Sequence, residues 1–98
     1  MCNFYIKFEY DLKKSRMNYE KHGVSFEDVR ILWLVAGVEI EAKTEGEPRF
    51  LRIGKIGGKF FSCVFTMRED HIRLISARRS RQKEEEIYLV RFKDEEQK

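Results

Sequence analysis

The spacing of apolar residues changes period several times along the chain, and each change marks an expected strand or helix. Near the start, alternation places Phe4, Ile6 and Phe8 on one face of a strand. Strict alternation returns after Gly37 and predicts a strand with one solvated face. The predicted strands are Asn3–Tyr10, Val38–Ala42, Arg49–Ile56, Lys59–Arg68 and His71–Ala77.

Capping residues mark the predicted helices. Asp11 is expected to cap the first helix, because its carboxylate can accept free backbone N–H groups, and Gly23 can end that helix in the left-handed conformation. Ser25, with Asp28 three residues later, resembles a capping box. The following stripe is expected to face the core; it comprises Phe26, Val29, Leu32, Trp33 and Ala36. The predicted helices are Leu12–His22, Phe26–Ala36 and Ser80–Phe92.

The order of these elements predicts the fold class. One strand and two helices precede an antiparallel meander of about four strands, and one helix follows it. Gly57-Gly58 and Glu69-Asp70 are the turns expected between the last strands. Because the strands cluster instead of alternating with helices, the pattern favours α+β over a doubly wound sheet. We expect one domain over residues 1–98, with a core from about 4 to 92 and a frayed tail at 93–98.

Charge is unevenly distributed along the chain. The formal net charge is only +3, but the segment Arg68–Lys83 holds six Lys/Arg residues against two acids. A segregated basic zone indicates a polyanionic partner better than net charge does. Cys2 and Cys63 form no disulfide framework, and Cys63 is expected to be buried in a strand. With no export signal and no apolar run long enough to span a membrane, the sequence favours a cytoplasmic protein without a membrane partner.

Several kinds of site are absent from the sequence pattern. The glycines lack the Gly-Lys-Ser/Thr sequence of a phosphate loop. No spacing supports a Ser-His-Asp or Cys-His nucleophile, and His22 and His71 lack further ligands at metal-binding distances in sequence. We therefore expect neither a metal nor another cofactor.

What remains is a set of cations that suits phosphate. Guanidinium groups bind phosphate oxygens through a planar donor fork and stabilise the charge that develops in phosphodiester cleavage. An imidazole can move a proton at the 2′-hydroxyl or the 5′-oxygen, and the Tyr88 phenol can stack on a base. The cationic candidates are Lys21, His22, Arg49, Arg68, Arg73, Arg78 and Arg79.

Four of the candidates also have a purely structural interpretation. His22 precedes Gly23 and can neutralise the dipole at a helix C-terminus. Arg78-Arg79 can form ion pairs with Glu84–Glu86, and Arg49 can pair across the sheet with Glu39 or Glu41. From spacing alone, a basic α+β binding module is favoured over a nuclease.

Several motifs together resemble the BrnT family of type II toxin–antitoxin toxins over about Lys7 to Tyr88. The pair K-H-G-V-S-F-E and I-S-A-R is the more specific part, because neither is a generic capping or strand pattern. The chain departs from the family in its apolar Leu34–Gly37 turn and its Phe-rich fourth strand. The matching segments are F-E-Y-D at Phe8–Asp11, Asn18, K-H-G-V-S-F-E at Lys21–Glu27, R-F-L-R-I-G at Arg49–Gly54, T-M-R at Thr66–Arg68, R-L-I-S-A-R-R at Arg73–Arg79, Glu84 and Tyr88.

The resemblance implies a RelE-like fold and a metal-independent ribonuclease that cleaves RNA and blocks translation. It also implies a cognate ribbon-helix-helix antitoxin, which neutralises the toxin in a hetero-oligomer and brings it to operator DNA. The catalytic residues it implies are His22, Arg49, Arg68 and Arg78, and the RNA-binding residues are Lys21, Arg73, Arg79 and Tyr88.

Two alternatives stay open at this point. One is a non-catalytic module that binds nucleic acid or a protein partner in a salt-sensitive manner. The other concerns the apolar stretches Leu34–Gly37 and Ile87–Val90, which are expected to form contacts with a second copy or with the antitoxin.

Overall fold

A computed structural model gives the fold of residues 6–42 and 46–96. A short 3-10 turn, Arg30–Trp33, follows the second helix. The other elements are β1 (Lys7–Glu9), α1 (Leu12–His22), α2 (Phe26–Val29), β2 (Gly37–Ala42), β3 (Arg49–Ile56), β4 (Lys59–Arg68), β5 (His71–Arg79) and α3 (Gln82–Glu96).

The strands form one five-stranded sheet in the order β1-β5-β4-β3-β2. The last four strands are the predicted antiparallel meander, and β1 joins its far edge in parallel to β5. The α+β class is therefore confirmed, whereas the RelE-like assignment remains a prediction.

Helices cover the two faces of the sheet unequally. The helices α1 and α2 and the 3-10 turn pack on one face, where Phe26, Val29 and Leu32 lie against Phe65 and Leu74 in the main core. On the other face, α3 crosses β2 and β3, and Glu84 and Tyr88 contact Ser62 and Phe60. Most of this second face over β4, β5 and β1 is left without a helix among the described residues, so side chains there can meet a ligand.

Local capping signals are confirmed. The Asp11 carboxylate accepts the Lys13 and Lys14 N–H groups at 2.7 and 3.3 Å, and these bonds hold its pKa below the usual range. Gly23 ends α1 with φ at 77°. Ser25 and Asp28 form the capping box at the start of α2.

The second helix is shorter than predicted. It leaves α geometry after Val29, and the chain tightens into the 3-10 turn. Arg52 accounts for this, because its guanidinium donates to the Leu32 carbonyl at 2.6 Å and the Val35 carbonyl at 3.2 Å. Ala36 is consequently exposed and does not join the core, while Trp33 packs edge-on between Phe8 and Phe65 as expected.

Other boundaries also move. The strand β5 runs to Arg79 rather than Ala77, because Arg78 and Arg79 still pair with β4. The Ser80 N–H then donates to the Phe60 carbonyl, which delays the start of α3 to Gln82, and the helix continues to Glu96 beyond the predicted end at Phe92. Residues 3–5 of the predicted first strand lie outside the described residues, as do residues 43–45 between the second and third predicted strands. Glu39 pairs with Arg52 and not with Arg49.

Asn18 ties α1 to the sheet. Its buried carboxamide donates to the Val24 and Ala77 carbonyls at 2.7 and 2.8 Å and accepts the Ala77 N–H at 3.2 Å. One side chain thus satisfies both backbone groups of Ala77, as a neighbouring strand would. The last turn of α1, with Lys21 and His22, is held against β5 by these bonds.

Candidate functional site

A β-bulge in the middle of β5 determines the shape of the site. Phe65 pairs with Leu74 and Val64 with Ser76, so Ile75 is the extra residue. The neighbouring strand β1 pairs with β5 only as far as Arg73. The next hydrogen bond on this edge is the one from the Asn18 side chain to Ala77. Among the described residues, no strand therefore pairs with this edge of β5 at residues 74–76, directly beside the last turn of α1.

A cleft of about 560 Å³ opens at this edge. We call it the α1–β5 cleft; the residues that define it are Lys14, Met17, Lys21, His22, Ile75 and Ser76. His22 is half-buried and is the last residue of α1, so its position also fits the dipole-capping interpretation. The cleft presents an imidazole and two ammonium groups, with Glu20 as the one acid in its lining.

Four of the five predicted arginines, all except Arg79, share the sheet face that Ser76 occupies. By strand alternation, Arg73, Ser76 and Arg78 point to the side of α3. Arg73 is paired with Thr66, and continuation of the β3 register places Arg49 on the other side of Thr66. Arg68 pairs with His71, which precedes Arg73 by two residues on β5, so Arg68 lies farther from Ser76 than Arg73 does.

Carboxylates already engage Arg73 and Arg68 at one end of this face. Glu9 of β1 binds Arg73 at 2.5 Å and lies 3.8 Å from Arg68, and Glu47 lies 3.2 Å from Arg68. His71 contacts Asp70 at 2.8 Å. A phosphate that approaches this end of the face therefore competes with, or rearranges, existing ion pairs.

Arg78 makes the best-formed ion pair of the site. Its guanidinium binds both Glu84 carboxylate oxygens, at 2.8 and 2.7 Å, and the side chains are only 23% and 11% exposed. Burial by itself would raise the pKa of Glu84, but bonds from Arg78, the Arg81 N–H and Ser62 outweigh it and hold that pKa at about 2. The pair anticipated for Arg78 exists, but it is mostly buried and not a weak surface contact.

Arg79 and Tyr88 lie apart from this group. Arg79 points to the opposite face of the sheet, where it is exposed and its guanidinium carbon lies 5.6 Å from the centre of the Phe61 ring. Tyr88 lies on α3 with its ring edge-on to Phe60 at 5.1 Å. The structure thus gathers Lys21, His22, Arg49, Arg68, Arg73 and Arg78 around one face and its edge, and separates Arg79 from them.

Sequence reasoning missed several residues of this arrangement. Lys14 precedes Lys21 by two helical turns, so helical spacing could have identified it as a second ammonium on the same side of α1. Ser76 enters the cleft only because of the bulge, which the spacing of apolar residues does not reveal. Glu9 reaches the arginines because β1 pairs with β5, a long-range pairing that local pattern cannot give.

The described part of the chain gives little support for a cysteine nucleophile or a metal site. Burial raises the pKa of the Cys63 thiol to about 12, so the thiolate is not available as a nucleophile at neutral pH. No three His, Cys, Asp or Glu side chains within residues 6–42 and 46–96 are arranged to hold a metal ion. In the same residues no helix has the length and apolar character needed to cross a membrane.

Comparison with known proteins shows which family the chain belongs to. No curated protein matches the chain. A family model described as "Ribonuclease toxin, BrnT, of type II toxin-antitoxin system" matches residues 10–84, most of the chain. The matched range extends from Tyr10 to Glu84 and contains the whole α1–β5 cleft together with Arg49, Arg68, Arg73 and Arg78. The chain therefore belongs to the BrnT family of ribonuclease toxins of type II toxin–antitoxin systems.

Proposed function

We propose that this protein is a metal-independent RNA endonuclease that cuts RNA at the α1–β5 cleft and so blocks translation in the cytoplasm. One observation supports this site above the others. The bulge at Ile75 places Ser76 in the cleft with Lys21 and His22, while Arg73 and Arg78 flank Ser76 on the same strand. A phosphate above Ser76 would therefore have an imidazole on one side and guanidinium groups along the strand.

The chemistry that this arrangement supports is attack by the substrate's own 2′-hydroxyl. The 2′-oxygen forms a bond to phosphorus, its proton leaves, and the bond to the 5′-oxygen breaks as that oxygen gains a proton. His22 is the imidazole of the cleft, and we assign it the proton transfer because histidine is the commonest general acid or base. The products are a 2′,3′-cyclic phosphate and a 5′-hydroxyl end.

Cations stabilise the charge that this step concentrates on the phosphate. We assign that role to Arg78, because the site already fixes its guanidinium, with Lys21 as a second positive charge at the cleft. Arg49, Arg68 and Arg73 lie farther along the face, where we assign them to the RNA backbone on one side of the scissile bond. Arg79 projects from the other face and has no assigned contact with the scissile phosphate.

Cleavage in the presence of a chelator tests the reaction. Purified protein is expected to cut RNA in excess EDTA, because guanidinium groups and not a metal ion neutralise the developing charge. Gel analysis of 5′-labelled RNA should show cyclic-phosphate ends, and RNA with 2′-O-methyl groups should stay intact. Activity that returns only with added Mg²⁺, or that cuts the 2′-O-methylated RNA, would contradict the proposal.

We further propose that the cell restrains this activity with a cognate ribbon-helix-helix antitoxin, which would carry the toxin to operator DNA within a hetero-oligomer. Family membership implies an antitoxin partner. Exposed apolar side chains support a protein contact, since Leu34 is 80% exposed and Val90 is 61% exposed. These residues belong to the two apolar stretches predicted to form contacts.

A non-catalytic binding module is the second candidate. The observation in its favour is that Arg68, Arg73 and Arg78 all contact carboxylates of the protein itself, as structural arginines do. Such a module would bind RNA in a salt-sensitive manner and release no cut products in the chelator assay.

A further inference from the structure

An aromatic cluster lies on α3 and the β3–β4 hairpin, away from the α1–β5 cleft. The Tyr88 and Phe92 side chains follow each other at a spacing of one helical turn, and their ring centres are 4.5 Å apart. The Tyr88 ring is also edge-on to Phe60, and the Lys55 ammonium lies 5.0 Å from the centre of the Phe60 ring. All three rings are only partly buried.

Two of the rings, Tyr88 and Phe92, line an open slot, and Phe60 packs behind Tyr88. The slot has a volume of about 660 Å³ and is lined by Lys55, Tyr88, Leu89, Phe92 and Lys93, and we call it the aromatic slot. Two ammonium groups, those of Lys55 and Lys93, stand beside the rings in this lining. Aromatic side chains that are exposed beside lysines match the two components of single-stranded RNA, which are flat bases and backbone phosphates.

The aromatic slot lies within reach of an RNA strand that occupies the cleft. Val64 of β4 pairs with Ser76 at the cleft, and Phe60 comes four residues earlier on the same face. The separation along the strand is about 13 Å, at roughly 3.3 Å per residue. Arg78, which pairs with Ser62, marks the midpoint of this path. Because Glu84 of α3 binds both Arg78 and Ser62, a strand of a few nucleotides spans the distance by passing over the first turn of α3.

We propose that the aromatic slot is a second RNA subsite, which stacks a base against Tyr88 and Phe92 and holds a neighbouring phosphate with Lys55 or Lys93. This inference rests on the proposed ribonuclease function and adds a requirement for substrate length. A protein side chain is the competing occupant, but the two lysines beside the exposed rings favour an anionic polymer with flat rings.

Binding of an uncleavable RNA tests the subsite separately from catalysis. The probe is a fluorescein-labelled 12-mer of 2′-O-methyladenosine, with fluorescence anisotropy as the readout. Tyr88→Leu keeps an apolar group against Phe60 but removes the stacking ring, and it is expected to weaken binding about tenfold. Tyr88→Phe should bind within about twofold of wild type, because the ring is retained. Tyr19→Leu, at a tyrosine that is 57% exposed on α1, is the matched control and should have no effect.

A double lysine variant tests the subsite if Tyr88→Leu is not stably folded. If the thermal midpoint of Tyr88→Leu falls sharply, Lys55→Gln with Lys93→Gln replaces it, because both lysines are exposed. For this double variant, the slope of the logarithm of the binding constant against the logarithm of salt concentration should be smaller than that of wild type by about one to two. Lys13→Gln should leave this slope unchanged. In cleavage assays of unmodified RNA, Tyr88→Leu should raise KM and leave kcat unchanged.

The outcomes separate the two proposals. If wild type cuts RNA, but folded Tyr88→Leu and the double lysine variant bind the 12-mer as wild type does, the subsite is wrong and the ribonuclease stands. If wild type binds the 12-mer through Tyr88 and never cuts unmodified RNA, the proposed reaction is wrong and the aromatic slot stands. Loss of antitoxin binding with unchanged RNA binding in Tyr88→Leu would assign the slot to a protein partner.

Discussion

Replacing His22 with alanine is expected to lower kcat/KM for RNA cleavage by about 100- to 10,000-fold, the range typical of a general acid or base. The imidazole is the group of the α1–β5 cleft to which we assign transfer of a proton from the 2′-hydroxyl or to the 5′-oxygen. Single-turnover cleavage of a labelled RNA, with the variant in excess over substrate, measures the chemical step apart from binding.

His71 supplies the matched control. It is the other histidine of the chain and is half-buried. It contacts Asp70 at the Arg68 end of the sheet, away from the α1–β5 cleft. His71→Ala is expected to stay within about threefold of wild type, because it has no place at the scissile phosphate. A larger loss for His71→Ala than for His22→Ala would move the reaction to the Arg68 end of the sheet.

Glu84→Gln is expected to lower the free energy of unfolding by about 2–4 kcal/mol, because it leaves the mostly buried Arg78 guanidinium without a carboxylate partner. Glu84 also accepts from Ser62 and from the Arg81 N–H, so the first turn of α3 loses part of its anchor. Urea unfolding at neutral pH measures the loss. Glu85→Gln, the adjacent position on the same helix, should change stability by less than about 0.5 kcal/mol.

The same carboxylate should make stability depend on pH in acid. Its pKa is about 2 in the folded protein and near 4.3 in an unfolded chain, so the unfolded state binds the proton first as pH falls. The stability that Glu84 contributes is therefore complete above about pH 5 and is lost as pH falls from there toward 2. The wild-type and Glu84→Gln curves should converge in that window, and curves that stay parallel would show that the carboxylate is not ionised in the folded state.

Local chemistry explains which parts of the fold could be predicted. Asp11 and Ser25 cap helices through bonds to residues two or three positions away, so the sequence alone contains both partners. Gly57-Gly58 takes the positive φ values of 58° and 79° that a tight hairpin needs, which fixes the register between β3 and β4. The faces of β4 follow from simple alternation.

Contacts between distant segments account for what could not be predicted. The end of α2 depends on Arg52, a residue 20 positions beyond the carbonyl of Leu32 that it binds. The cleft depends on the bulge at Ile75 and on Asn18, which reaches Ala77 across 59 residues. The resemblance identified the site cations, but whether they share a face depended on strand register, and Arg79 falls on the other side because it is one residue from Arg78.

The most direct test of the central claim is cleavage by a variant that lacks His22, Arg49 and Arg78 together. The three alanine substitutions remove the proposed proton carrier and two of the guanidinium groups on the same face and its edge, and circular dichroism establishes that the variant is folded. In excess EDTA, wild type is expected to convert labelled RNA to products with cyclic-phosphate ends, and the folded triple variant is expected to give none. Cleavage that survives in the triple variant would contradict the assignment of the reaction to the α1–β5 cleft and its arginines.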